Sequence, residues 1–288
     1  MIMFVCGGCV WWAFNKAVCF VAGLFAKNAD DSHGCARLIQ SRRLSTSMMP
    51  IFAISATFLA FDFVMGLDFT WFSTMWGVYF FAGCAINSMA VLILTLTWLR
   101  SKGYLKGVTS EEHYHLMGKL MHAFVIFWAY VTFSQFMLIW YAGIPEETRY
   151  FILRNTGPWN IPSIALVVCH FAIPFTVLLP HYVKKKTILI VPVCLYLLAV
   201  HILDIYHMIA PERGPSLTAM KRYGYGDAKG NIDQTINLFV DHPAWLGDVV
   251  AFITVGAFFV FVFITILTRA SLFPNRDPRI LESANLHG

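Results

Sequence analysis

The sequence predicts an all-α polytopic membrane protein, and three observations carry that prediction. Residues are 58% hydrophobic and only 13% charged, and mean hydropathy is +0.64. The apolar residues also gather into seven runs separated by short charged stretches. A soluble domain of this composition would leave far too much apolar surface in water. Each run, by contrast, can cross hydrocarbon, which takes about 20 residues. The chain must be helical there, because hydrocarbon satisfies no open backbone group.

The runs cover about 1–25, 48–66, 71–99, 120–141, 161–180, 187–209 and 245–268. Residues 1–270 therefore read as one transmembrane bundle, with 271–288 as a cytoplasmic tail. The first run starts directly at Met1 with no basic residues ahead of it, unlike a signal peptide. The second ends at Gly66. The third is longer than an upright span needs and should tilt or project. The fourth carries His122 and Tyr130, and the fifth carries His170 and closes at Pro180. The sixth holds His201, Asp204 and His207; the seventh opens behind Asp241 and Pro243, which suit an N-cap and a first turn.

Lys and Arg orient the bundle. Lys27, Arg37, Arg42, Arg43, Arg100, Lys102, Lys106, Lys119, Lys184 to Lys186, Arg269, Arg276 and Arg279 fall on one side. Arg149, Arg154, Arg213, Lys221, Arg222 and Lys229 fall on the other, mixed with acids. Fourteen against six makes the first side cytoplasmic. The N-terminus is then outside and the C-terminus inside. An N-out start without a leader suggests that an odd number of helices precedes this sequence in the full protein.

Several chemistries lack their motifs. The formal charge of +5 is explained by topology and does not call for nucleic acid. Seven scattered cysteines offer no disulfide framework, and Cys6 with Cys9 sits in an apolar run without partners. There is no haem-attachment motif, no four-cysteine run and no phosphate loop. His170 and His201 approach a common depth, but no second pair repeats the arrangement, so bis-imidazole haem is not expected. No catalytic residue, bound cofactor or metal is assigned to the chain from sequence.

What remains is a ladder of polar groups. An Asp inside hydrocarbon costs roughly 2.5–3.5 kcal/mol on insertion scales, so it persists where it faces a partner, a cavity or a path. At 100° per residue, His201, Asp204 and His207 share an arc of about 120° with Asp204 between the rings. That is an acceptor flanked by two groups that exchange protons near neutral pH. Asp62 and Asp248 join this trio in the outer half, His170 lies near the centre, and His122 with Tyr130 lies toward the cytoplasm. These eight are the proton-relay candidates. The competing explanation is that polar groups hold helices together, at about 0.6 kcal/mol each. It suits Asn87, Ser88, Ser134 and Gln135 better than the buried acids.

Three blocks carry a family resemblance: 61–83 (FDFVMGLDFTWFSTMWGVYFFAG), 127–148 (FWAYVTFSQFMLIWYAGIPEET) and 201–211 (HILDIYHMIAP). Together they resemble the second large membrane subunit of alternative complex III, within the NrfD-like superfamily. The resemblance runs from about residue 43 to 268. It implies a subunit of a bacterial quinol:electron-acceptor oxidoreductase in the inner membrane, serving respiratory or photosynthetic electron transfer. It also implies partners: a sister NrfD-like membrane subunit, multihaem cytochrome and iron–sulfur subunits, lipid and the quinone pool. Redox centres would sit on those partners, leaving proton translocation and a quinone or quinol contact to this chain. The family has about ten helices, so the sequence would lack roughly the first three. The alternative is a freestanding proton-coupled transporter or channel, which should show internal repeats and broken helices. Pro174 and Pro192 interrupt helices, but no repeat is evident.

Overall fold

The computed structural model describes residues 36–68, 71–105, 107–155, 159–212 and 244–269. The predicted helix at 1–25, the loop at 213–243 and the tail at 271–288 lie outside these. No strand occurs among the described residues, and six helices are long and apolar enough to cross a membrane. The protein is an all-α, multi-pass membrane protein.

Two compact units divide the chain, residues 1–209 with 276–288 and residues 210–275. In the first, α1 (Ala36–Phe63), α2 (Trp76–Ser101) and α3 (Glu111–Ala142) are long helices. A short α4 (Pro145–Asn155) follows, then α5 (Asn160–Leu178), a five-residue α6 (His181–Lys185) and α7 (Thr187–Ile209). The second unit contains α8 (Ala244–Arg269), an apolar helix of 26 residues.

Helix ends follow local chemistry more than hydropathy. α3 starts nine residues before the apolar run, because Ser110 opens it. The backbone N–H of Ser110 donates to His113 Nδ1 at 3.1 Å, and Glu111 and Glu112 occupy the first turn, where acids favour the helix dipole. Gly143 ends it in the left-handed region (φ 65°), with its N–H on the Ile139 carbonyl. Pro145 then opens α4, which the hydropathy pattern passes over because it is polar. The overlong run at 71–99 resolves into a non-helical lead-in and a helix from Trp76. The third helix at 32 residues is roughly 48 Å long, well beyond a hydrocarbon core of about 30 Å.

α5 is irregular where it matters. A π-helical turn spans Val167–Ala172. Pro174 lies just beyond it and has no N–H for the carbonyl of His170, four residues back, so the helix must widen there. The Cys169 carbonyl within that turn accepts the Tyr196 hydroxyl of α7 at 2.9 Å.

The main core lies between α2, α3, α5 and α7. Ala82, Ile86, Ala90 and Ile93 of α2 meet Tyr114, Met121, Val125 and Trp128 of α3, with Leu178, Ile190, Cys194 and Leu197 closing it. Small residues let the helices approach, as membrane packing requires. Gly77 faces Thr57, and a Cβ there would sit 2.6 Å from its methyl group. A second, aromatic core joins Trp71, Trp76, Ile139, Tyr150 and Met208. It pins α4 against the lead-in to α2, with Trp71 stacked on Tyr150 at 4.0 Å.

A candidate site around Asp204

The side chain at the centre of the first unit is Asp204, on α7 and 1% exposed. Three helices supply its partners. Tyr79 of α2 donates its hydroxyl to Oδ1 at 2.5 Å, and Trp128 of α3 donates Nε1–H to Oδ2 at 3.2 Å. His201 Nδ1 lies 3.5 Å from Oδ2, an ion-pair separation with no hydrogen bond. One turn of helix separates His201 from Asp204, the register the sequence predicts for a shared face.

His170 enters from the π-helical turn of α5. It is fully buried, and neither ring nitrogen has a hydrogen-bond partner. Its ring lies 4.0 Å from that of Trp128 and 5.9 Å from that of His201. One ligating atom each of His170, His201 and Asp204 falls within 4.8 Å of the others. Gly83 makes the arrangement fit, since a Cβ there would stand 2.5 Å from His201 Cε1.

His207 belongs to a neighbouring network. Ser163 Oγ donates to the Arg154 carbonyl at 2.7 Å and lies 2.9 Å from His207 Nε2. With its one proton committed, Ser163 accepts there, which puts a proton on Nε2. Arg154 is 3% exposed and ties off the end of α7: Nε donates to the His207 carbonyl at 3.3 Å and NH2 to Met208 at 2.7 Å. NH1 reaches the Tyr150 carbonyl at 3.1 Å, and the guanidinium sits 3.3 Å over the Tyr150 ring. A cation at a helix C-terminus meets both its dipole and its open carbonyls.

Of the eight sequence candidates, Asp204, His201 and His170 come together, and His207 stands one turn away facing Ser163. His122 is buried on α3 beside Phe175, 5.4 Å between rings, with Nε2 unpartnered. Tyr130 is 66% exposed and faces away from this core. Asp62 is half-buried in the last turn of α1. The side chain of Asp248, in α8 of the second unit, lies outside the described residues.

Tyr79, Trp128 and Arg154 were missed by sequence reasoning. Tyr79 and Trp128 lie within the family-like blocks, but nothing in their spacing marks them as partners of an acid 125 and 76 residues on. Arg154 had a signal: α4 has Pro145 first, two glutamates in its first turn, and Tyr150 and Arg154 one turn apart. Neither a protein-family model nor a curated protein matches this chain.

Proposed function

We propose that the chain is a membrane subunit of a bacterial inner-membrane quinol:electron-acceptor oxidoreductase of the alternative complex III type, and that Asp204 passes protons within it. The observation that carries this reading is a desolvated carboxylate held by two donors from two other helices, with two imidazoles against it. Ionisable groups kept inside a membrane bundle at such cost are a functional signal. The sequence blocks supporting the family contain Tyr79, Trp128, His201 and Asp204 themselves. Haem and iron–sulfur centres reside on partner subunits, and this chain handles protons beside a quinol contact.

In this mechanism Tyr79 and Trp128 fix the carboxylate, and His201, whose side chain keeps 12% exposure, exchanges protons with the outside. His201 and Asp204 stand 3.5 Å apart on one helix and act as a unit. Asp204→Asn and His201→Leu should each cut quinol turnover at least tenfold in an assembled complex. The double variant should lose little more, because both changes remove the same path. Isolation in mild detergent decides the assembly: multihaem and iron–sulfur subunits should accompany the chain. Transport activity from the chain alone would establish a freestanding carrier, and normal turnover with normal proton yield in Asp204→Asn would reduce the carboxylate to a packing contact.

A further inference from the structure

We infer that His170, His201 and Asp204 form a binding site for a divalent transition cation of the Zn²⁺ class, seated where the proposed relay runs. Two imidazoles and a carboxylate are a donor set of borderline hardness that suits Zn²⁺ and its neighbours better than Mg²⁺ or Ca²⁺. The geometry is close to what such an ion needs. A tetrahedral site with bonds of about 2.1 Å has ligand–ligand edges of roughly 3.4 Å. His201 Nδ1 and Asp204 Oδ2 already stand 3.5 Å apart, and the His170 nitrogen completes the triangle within 4.8 Å. Contraction of the third corner by little more than an ångström closes it, a movement within the reach of a side-chain torsion.

A second observation points to an occupant. His170 is fully buried with both ring nitrogens unpartnered, and His201 Nδ1 also lacks a hydrogen bond. Buried polar atoms left unpaired cost about 1–3 kcal/mol each, so such groups normally have partners. A cation takes a lone pair from each imidazole and neutralises a carboxylate buried among apolar side chains. The surroundings are those of a supported site: ligating carboxylates are themselves hydrogen-bonded in metal centres, and Asp204 is held by Tyr79 and Trp128. Three protein ligands leave a fourth position open. The exposed edge of His201 gives the ion a way in. The widened turn around Pro174 gives the site its third ligand: it sets His170 in place, and an unbroken α5 would turn that ring elsewhere.

The inference rests on the geometry of the same pocket as the relay, and the two readings fail separately. Zn²⁺ alone is titrated against the tag-free chain, purified with whatever subunits accompany it, and bound metal is counted after equilibrium dialysis. The wild type should hold one equivalent more than His170→Gln or His201→Gln, variants that keep polarity and approximate volume. Tyr79→Phe should retain the ion about tenfold more weakly, the effect of losing a group that orients a ligand. Co²⁺ in place of Zn²⁺ should give visible absorption of tetrahedral type in the wild type and lose it in both glutamine variants. Equal metal content in wild type and both histidine variants would overturn the site, whatever the turnover data say. Zinc bound at one equivalent with quinol turnover unchanged would leave the site standing and remove Asp204 from the proton path.

Discussion

Two clusters that each set a carboxylate near imidazoles are built differently in this molecule. Around Asp204, one carboxylate is surrounded by hydroxyl, indole and imidazole groups from α2, α3, α5 and α7, and water has little access. At the start of α3, Glu112 pairs with Lys185, His115 lies 4.0 Å from His181 between ring centres, and Lys184 is nearby. Here cations outnumber the acceptor, and Lys184 Nζ donates to the Leu179 carbonyl at 3.4 Å. The first cluster sits deep inside the core and its acid is held from several sides. The second sits at a helix end, where Lys185 and Glu112 keep 23% and 12% side-chain exposure while His115 and Lys184 are buried. Residue type therefore says less about function than whether a group can escape to solvent.

The largest effect should come from emptying the buried cluster. Asp204→Leu strands the Tyr79 hydroxyl and the Trp128 N–H, each costing about 1–3 kcal/mol when left unpaired. A loss of several kcal/mol should appear as failed assembly or a sharply lowered melting temperature in detergent. Asp204→Asn keeps an acceptor and should melt much closer to the wild type. Equal melting of the Leu variant and the wild type would show that the donors find other partners and that the pocket is not rigid.

Next in size is the buried cation at the end of α7. Arg154→Lys retains charge but not the fork that serves three carbonyls. About 2 kcal/mol should be lost, as expected for hydrogen bonds to a charged group. The His207–Ser163 contact should loosen with it, read as faster hydrogen exchange in the last turn of α7. Unchanged protection there would assign the stability of that turn to packing alone.

A smaller effect probes how His201 is seated. Gly83→Ala places a methyl group 2.5 Å from His201 Cε1, and overpacking of this kind costs about 1–3 kcal/mol. The ring must rotate or the helices part, so turnover and zinc retention should both fall even though no ionisable group is touched. Cysteine labelling at Tyr130, on the opposite face of α3, should be unaffected. A fully active Gly83→Ala protein would mean that His201 needs no fixed position.

These contrasts mark what could be read from the sequence. Six of the seven apolar runs fall on helices long and apolar enough to cross a membrane, because bilayer thickness and backbone satisfaction leave little choice. The helix over the second run starts earlier than its apolar stretch, at Ala36, and the run at 1–25 lies outside the described residues. The pairing of His201 with Asp204 followed from helical spacing, a local rule. Helix ends at Ser110 and Pro145 were lost to a hydropathy window that ignores caps. The donors Tyr79 and Trp128 were lost for a deeper reason: which side chain faces Asp204 depends on how α2 and α3 rotate against α7, and Gly77 and Gly83 set that through close approaches that no single-helix pattern reveals. Arg154 counted toward topology as an outer-loop charge, yet the fold buries it. His170 was legible as a buried ring, while its approach to the acid depends on the wide turn before Pro174.

The smallest expected effect tests the second cluster. Lys184 is 7% exposed and lies outside the membrane-spanning segments, its Nζ reaching the Leu179 carbonyl at 3.4 Å. Burial, and then the neighbouring Lys119, hold its ammonium below the ordinary lysine value, which is about 10.4. A folded-state value below the unfolded one means that the native state gives up this proton first. The charged lysine therefore opposes folding at neutral pH, and that opposition fades as pH rises through the folded value toward 10.4. Lys184→Met should melt at or slightly above the wild type near pH 7, with packing of the side-chain stem retained. The advantage should shrink as pH rises toward the ordinary lysine value of about 10.4, as the wild-type ammonium loses its proton. Parallel melting curves across that whole range would show that Lys184 is solvated in the folded protein, and the two clusters would then differ by location alone.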